Sequence, residues 1–290
     1  MNQAEAILNH VRKLPPLSPT VARLSELIRS DSASAADFED VLRFDPGLTA
    51  QVLRLANSAH YGLRGKVESI RQAVAVLGQA RVYGLATRTA VARVTPGRLA
   101  GYEIDANDFW LHNTAVAVLA EELASELRVR LPSLTFTAGL LHDIGKLVIS
   151  TFVKDSSSTI RKRMRFERLS FDEAETEVLG MDHAETGALI AKAWDLPGAL
   201  IAAIRYHHNP ESAPEDGNRI LVDLVHTADA LAHSIGLGAD AGELARKVDP
   251  KVMARLQLKP QRLERVAMAG LDVTKDVASM FATGPGGKAA

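Results

Sequence analysis

The sequence predicts an all-α protein, and three observations support this fold class. Apolar residues recur at three- and four-residue steps, most clearly in residues 52–56, 73–77 and 116–127. Alternating strand patterns and Asn-Gly hairpin signals are missing. The 12 prolines stand mostly between the periodic runs, which favours many short helices over one long coiled coil.

Helix-start signals mark where these helices begin. Ser18 before Pro19, and Asp45 before Pro46, each place a capping side chain ahead of a first-turn proline. Three further pairs have the spacing of a capping box or an acidic variant of it: Ser69 with Gln72, Ser170 with Glu173, and Asp182 with Glu185.

The chain shows no clear linker, and its weakest joint is the segment TPGRLAG near residues 95–105. We therefore predict an N-terminal helical subdomain over residues 1–100 and a second helical domain over residues 101–240. C-terminal helices would follow over residues 241–283. The glycine-rich end, residues 284–290, is expected to be a disordered tail.

Composition excludes several classes of function. The absence of cysteine rules out disulfides, thiolate metal sites and thiol nucleophiles. A net charge of -1 argues against a nucleic-acid partner, and the only concentrated basic segment, RKRMRFER at residues 161–168, is interpreted as a solvated helix face. No signal peptide or uninterrupted apolar span is present, so we expect a cytoplasmic protein without a membrane partner.

The histidines carry the strongest chemical signal. His142 and Asp143 stand inside the apolar run AGLLHDIGKLVIS, where burying both groups costs several kcal/mol unless each finds a partner. His112 follows Asp108 by four residues, which places both on one helix face. Other side chains of the same kind are His183, the adjacent pair His207 and His208, and Asp229. No such pattern of neighbouring donors surrounds the other four histidines, which are His10, His60, His226 and His233. Asp229 does lie one turn after His226.

Imidazole and carboxylate donors without thiolates suit an iron, manganese or zinc site. One carboxylate can bridge two ions, and such pairs activate water against phosphate esters. Iron or manganese is favoured over zinc, because a large donor set suits octahedral ions. Lys146, one turn after Asp143, could reach a bound phosphate as a point charge.

The order of these residues resembles a known signature. His112, the pair His142 and Asp143, and then Asp229 resemble the H…HD…D pattern of the HD superfamily of metal-dependent phosphohydrolases. The N-terminal segments LPPLSPTVARLSELI, FDPGLTAQVLRLANSAHYG and SIRQAVAVLG are similar to the HDOD domain, a regulatory relative in bacterial signalling. The resemblance covers about residues 5–240 and implies an N-terminal helical bundle packed on an HD-type helical domain.

The resemblance also implies roles for individual residues. His112, His142, Asp143 and Asp229 would hold a first metal ion. Asp143 would bridge to a second ion, whose other ligands resemble those of the binuclear HD-GYP phosphodiesterases: His183, His207 and His208. One or two divalent ions are therefore expected. Asp108 stands where HD-GYP members tend to carry a glutamate ligand.

Two functions from different classes follow. HDOD proteins are mostly regarded as non-catalytic, so the resemblance implies a regulator that acts through protein–protein contacts with two-component or cyclic-di-GMP signalling proteins. The alternative is a metal-dependent phosphohydrolase acting on a nucleotide or cyclic dinucleotide, with Asp143 and Lys146 as catalytic residues. The segment NPESAPEDGNRI after His208 departs from the Gly-Tyr-Pro segment of HD-GYP enzymes, which favours the regulatory hypothesis.

Overall fold

The fold is all-α, as the sequence predicts. The computed structural model describes residues 2–58, 61–63, 65–128, 134–237 and 246–282. Helices make up most of this described part, and its only sheet has two short strands. A continuous apolar core runs from Ile7 in the first helix to Val266 and Ala267 in the last.

Six helices form the N-terminal part: α1 (Gln3–Arg12), α2 (Pro19–Ile28), α3 (Ala35–Leu42), α4 (Pro46–Ala56), α5 (Ile70–Leu77) and α6 (Gln79–Ala92). The predicted caps are confirmed, because the side chains of Ser18 and Asp45 accept hydrogen bonds from the first turns of α2 and α4. Ser69 and Gln72 form the predicted capping box of α5. These caps fix where the apolar faces of the helices begin.

A small hairpin separates this part from the next. Strands β1 (Arg98–Leu99) and β2 (Ile104–Asp105) pair antiparallel, with Arg98 opposite Asp105. The sequence does not reveal this hairpin, because two-residue strands are too short to show alternation. The hairpin falls inside the predicted joint, whereas the domain limits at residues 100, 240 and 283 stay predictions. The predicted tail, residues 284–290, lies outside the described residues.

The second part of the chain surrounds one central helix. Its helices are α7 (Ala106–Leu127), α8 (Thr135–Leu141), α9 (Lys146–Glu167), α10 (Phe171–Leu179), α11 (His183–Ala193), α12 (Gly198–Tyr206), α13 (Arg219–Ser234), α14 (Pro250–Arg255) and α15 (Pro260–Ala282). Helix α7 packs against α8, α13 and α15 and is buried on nearly all sides, which explains its mainly apolar sequence.

Capping also sets the start of two helices that build the site. Ser170 and Glu173 form the predicted capping box of α10. The carboxylate of Asp182 accepts a hydrogen bond from the backbone N–H of Glu185 and so caps α11. His183 is consequently the first residue of α11, at a fixed point of the fold.

The two parts of the chain are joined by direct contacts. Helix α6 packs on α8, and α1 packs on α9 and α11. The indole N–H of Trp194 donates a hydrogen bond to the carbonyl of Pro15 (3.0 Å). Arg29 reaches both the carboxylate and the carbonyl oxygen of Asp195. The N-terminal helices therefore rest on the elements that carry the histidines.

Among the described residues, one helical stretch, Thr135–Glu167, is long and apolar enough to cross a membrane by length and composition. Of its most apolar window, 78% is buried inside the protein. Such burial is typical of a core helix in a globular fold.

Candidate metal centre

The structure brings together the side chains of all seven predicted metal ligands. They come from five different places in the chain, and none of them is more than 6% exposed. The set comprises His112 on α7, His142 and Asp143 between α8 and α9, His183 on α11, His207 and His208 after α12, and Asp229 on α13.

Asp143 lies between two groups of histidines. Its Oδ1 is 3.5 Å from Nε2 of His183 and 3.7 Å from Nε2 of His207. Its Oδ2 is 3.5 Å from Nε2 of His142 and 3.9 Å from Nε2 of His112. Each oxygen thus faces its own set of nitrogens, an arrangement that suits a carboxylate shared between two ions.

Asp229 supplies the second carboxylate. Its Oδ1 lies 3.2 Å from Nε2 of His112 and 3.7 Å from Nε2 of His142. Its Oδ2 lies 3.8 Å from Nδ1 of His208. Asp229 therefore closes the side of the cluster that faces α7 and the end of α12.

Backbone carbonyls orient three of the imidazoles. Nδ1 of His142 lies 2.8 Å from the carbonyl oxygen of Gly139, and His112 and His207 make the same contact with the carbonyls of Leu237 and Ile204. A carbonyl only accepts, so in each ring Nδ1 carries the proton and donates it. The lone pair of Nε2 then points into the cluster, in the form that binds metals.

A buried glutamate orients His183. Oε2 of Glu175 accepts from the backbone N–H of His183 (2.9 Å) and lies 2.6 Å from its Nδ1. The hydroxyl of Tyr102 donates to the other oxygen, Oε1. Glu175 is fully buried, so its charge acts on His183 with little screening by water.

The electrostatics favour ionised carboxylates. Burial raises the pKa of Asp143, but Lys146 and the surrounding histidines outweigh it and hold that pKa well below its usual range. The pKa of Asp229 is also held well below its usual range, because the imidazoles of His112, His142 and His233 that face its Oδ1 outweigh the effect of burial.

The imidazoles divide into neutral and protonated groups. Burial, reinforced by neighbouring cations, lowers the pKa of His207 and His208 well below the usual value, so both rings are neutral. Burial also opposes the charged form of His183, but the Glu175 carboxylate outweighs it and raises the pKa of His183 to about 9. Nε2 of His183 lies 2.6 Å from Nε2 of His208, and a proton on His183 would occupy that contact. A metal ion would replace this proton, since binding requires the neutral ring.

The donor set fits a divalent cation. Several buried polar atoms at the centre have no hydrogen-bond partner among the described residues, which costs about 1–3 kcal/mol for each such atom. One or two ions would satisfy them together. These atoms are Nε2 of His112, His142 and His207, Nδ1 of His208, Oδ1 of Asp143 and Oδ2 of Asp229.

Sequence reasoning missed three residues of this centre. His233 places Nε2 3.4 Å from Oδ1 of Asp229, and its i+4 spacing from that residue could have revealed it. Glu175 falls on the apolar face of α10 between Phe171 and Val178, which is the signal for a buried carboxylate. Arg246 donates to Asp172 (2.9 Å) and lies 4.0 Å from Oδ2 of Asp229, a contact that no local pattern predicts.

Other expected residues have different places. Lys146 is 2% exposed, and its ammonium group donates to Oδ2 of Asp143 (2.8 Å) and lies over the Tyr102 ring. Asp108 is exposed on the first turn of α7 and lies outside the cluster. His226 positions the end of α12, because its Nδ1 lies 2.6 Å from the carbonyl of His207. His60 lies outside the described residues.

A cavity of about 390 Å³ opens beside His208. Carboxylates dominate its lining, with Asp172, Glu173, Glu177 and Asp182 against the single cation Arg205. Such a lining favours the approach of cations over that of phosphate esters.

The turn between α8 and α9, which contains His142 and Asp143, packs very closely on α11 at Gly145. A Cβ atom on Gly145 would lie 1.8 Å from the carbonyl oxygen of His183 and 2.6 Å from the backbone nitrogen of Gly187. This contact fixes the distance between Asp143 and His183.

We expect Glu175→Gln to weaken metal binding about 10- to 100-fold, because the amide keeps the shape but removes the charge that holds His183. Isothermal titration with Mn²⁺ measures the change. The exposed Glu264→Gln variant, on α15, should bind the metal within a factor of about two of wild type. Equal affinities for Glu175→Gln and wild type would show that the buried glutamate has no part in holding the ligand.

The all-α fold thus buries a cluster of histidines and aspartates from five elements, and this cluster could hold one or two metal ions. The chain belongs to the HDOD domain family, whose model matches residues 14–210. Asp229 and His233 lie beyond the matched residues. The second carboxylate of the cluster and its histidine neighbour therefore come from the C-terminal part of the chain.

Solved structures share the fold over nearly the whole chain. An HDOD domain protein of unknown function from Geobacter sulfurreducens is 27% identical, with a TM-score of 0.67 and coverage of 96% of this chain and 93% of its own. A protein from Shewanella amazonensis SB2B, provisionally named a phosphohydrolase, is 29% identical, with a TM-score of 0.70 and coverage of 96% and 97%.

An uncharacterized protein of Treponema pallidum (strain Nichols) is 24% identical over 214 residues. The match takes in 73% of this chain but 41% of the relative, so the chain spans less than half the length of that curated relative.

Proposed function

We propose that this protein is a cytoplasmic signalling regulator in which a His/Asp metal centre stabilises an HDOD scaffold, and that it acts mainly through protein–protein contacts. The observation that carries this proposal is the enclosure of the centre, whose ligand side chains are at most 6% exposed. A metal held in this way supports the fold around it but offers little room for a substrate.

The surroundings of the centre support the same conclusion. Lys146, the residue that could bind a phosphate, forms a buried ion pair with Asp143. The lining of the neighbouring cavity carries more carboxylates than cations, which disfavours a phosphodiester that approaches His208. We propose partners from two-component or cyclic-di-GMP signalling, in keeping with the HDOD family.

A second candidate function is a metal-dependent phosphohydrolase acting on a nucleotide or cyclic dinucleotide. The two oxygens of Asp143 face separate sets of imidazoles, which favours a two-ion site. Ions held there would supply hydroxide at neutral pH. Lys146 and Asp143 would then be catalytic residues, and the provisional name of the Shewanella relative favours this candidate.

The test combines metal analysis with a hydrolysis panel. Elemental analysis of the purified protein measures whether iron, manganese or zinc is bound and in what ratio to the chain. The panel contains bis-p-nitrophenyl phosphate, nucleoside triphosphates and cyclic-di-GMP. Bound metal without turnover supports the regulatory function, and metal-dependent turnover lost in Asp143→Asn supports the hydrolase.

We expect turnover of cyclic-di-GMP to be weak or undetectable even with metal bound. In-line placement of the phosphate is required, and a misplacement of about 1 Å can lower the rate a hundredfold. The segment after His208 that would assist placement carries Glu211, Glu215 and Asp216. Chromatography of the linear product measures the reaction, with an active HD-GYP enzyme as control. Robust conversion that disappears in His142→Ala would contradict this expectation.

A further inference from the structure

The C-terminal half of α9 carries a surface that the metal centre does not use. Phe166 on this surface is 74% exposed, so most of its apolar ring is in contact with water and available to a partner. Exposed cations surround it on the same segment. We call the four residues Lys162, Arg165, Phe166 and Arg168 the α9 patch.

We propose that the α9 patch is a docking surface for a short acidic segment of a partner protein that also carries an apolar side chain. This inference rests on the proposed function, because it names the surface through which the regulator would meet its partner.

The cations of the patch are available to a partner. Lys162, Arg165 and Arg168 form no ion pair with any residue in the described ranges. Their neighbours differ, since Arg161 pairs with Glu103 and Arg163 pairs with Glu167. Paired and unpaired cations thus alternate along one helix, and the unpaired ones lie beside the exposed ring.

The positions of the side chains place them on one face. Lys162 and Arg165 are three residues apart, and Lys162 and Phe166 are four apart, so their side chains are neighbours on the helix surface. The guanidinium of Arg165 lies 5.7 Å from the centre of the Phe166 ring. Arg168 follows at the helix end with a left-handed backbone (φ 60°).

Helix stability explains only part of this arrangement. Cations in a last turn interact favourably with the helix dipole, which accounts for Arg165 and Arg168. The dipole gives no reason for a phenylalanine with three quarters of its surface in water. Aromatic and arginine side chains together are enriched in protein interfaces and dominate their binding energy.

The borders of the patch favour an acidic protein segment over a nucleic acid or a membrane. Three exposed carboxylates interrupt the positive charge, those of Glu103, Glu167 and Glu177. A continuous polyanion such as a phosphate backbone would be repelled at each of them. A short segment with a few carboxylates and one apolar side chain meets the cations and covers Phe166.

The patch adjoins the cavity beside the metal centre. Leu169, one residue after Arg168, lines that cavity, and Arg163 on α9 contacts the cavity residue Glu177 (3.6 Å). A partner seated on the patch would therefore lie next to the opening that leads towards His208.

The test is a binding titration of the metal-loaded full chain with a short synthetic fluorescein-labelled peptide that contains one Glu-Glu-Phe-Glu unit. Fluorescence anisotropy compares wild type with K162E/R165E/R168E and with Phe166→Ser. The control is K13E/K192E/K259E, which makes the same charge change at exposed lysines on other elements. We expect both patch variants to bind at least about tenfold more weakly, the control to match wild type, and the wild-type affinity to fall with salt.

Each other outcome overturns the proposal. Absence of binding by wild type, or equal binding by patch and control variants, would show that the patch is only a solvated helix face. Tighter binding of a DNA duplex or of phosphatidylglycerol vesicles than of the peptide, lost in the patch variants, would assign the patch to another class of ligand. Metal content measured on the same samples reports on the proposed function separately, so the two failures are distinguishable.

Discussion

Replacing Gly145 by alanine is expected to destabilise the protein by about 3–5 kcal/mol and to release the metal, the upper end of single-residue effects. The backbone of Gly145 is right-handed helical (φ -61°), so an alanine is not strained by itself. The added methyl group would instead meet the carbonyl of His183 and the backbone of Gly187, which belong to a rigid helix and cannot rotate away. Helix α11 must move, and His183 moves with it.

Urea unfolding, monitored by circular dichroism, measures the decrease in the free energy of unfolding. Elemental analysis measures the bound metal. The matched control is Gly198→Ala at the start of α12, where nothing lies within 4 Å of the added methyl group. The control should stay within about 0.5 kcal/mol of wild type. A Gly145→Ala protein with wild-type stability and metal content would contradict the close contact between α9 and α11.

Removing the metal by chelation is expected to lower the melting temperature by about 8–16 °C. A ligand present at a thousand times its dissociation constant stabilises the folded state by about 4 kcal/mol. For chains of roughly this size, each kcal/mol corresponds to about 2–4 °C. The folded state loses stability because the centre without metal retains buried polar atoms that have no partner, such as Nε2 of His142 and Oδ1 of Asp143.

Differential scanning calorimetry before and after dialysis against a chelator measures this shift. The control is Asp143→Asn, whose melting temperature should respond little to the chelator because it has lost the shared carboxylate. An unchanged melt of wild type after verified metal removal would show that the fold does not depend on the centre.

The helices could be predicted from sequence because their signals are local. Capping residues and three- and four-residue periodicity act within a few positions, so Ser69 with Gln72 and Ser170 with Glu173 have the predicted role. The hairpin at Arg98–Leu99 escapes prediction for the opposite reason, since its pairing to Ile104–Asp105 leaves no pattern in two-residue strands.

The candidate centre could be predicted only in part. The pattern around His142 and Asp143 points to buried donors, and the family resemblance supplied the remaining ligands. The groups that orient the donors could not be predicted, because backbone carbonyls such as that of Leu237 leave no trace in side-chain identity. Arg246 is equally hidden, since its contact with Asp172 spans more than seventy residues of chain.

The wide spacing of the ligands has a consequence for protein synthesis. His112 is translated more than a hundred residues before Asp229, which at roughly 5–20 residues per second takes on the order of ten seconds. During that time the nascent chain carries His112, His142 and Asp143 without the α13 carboxylate that completes their surroundings. A metal ion could therefore meet the complete donor set only after α13 has been synthesised and has packed in place.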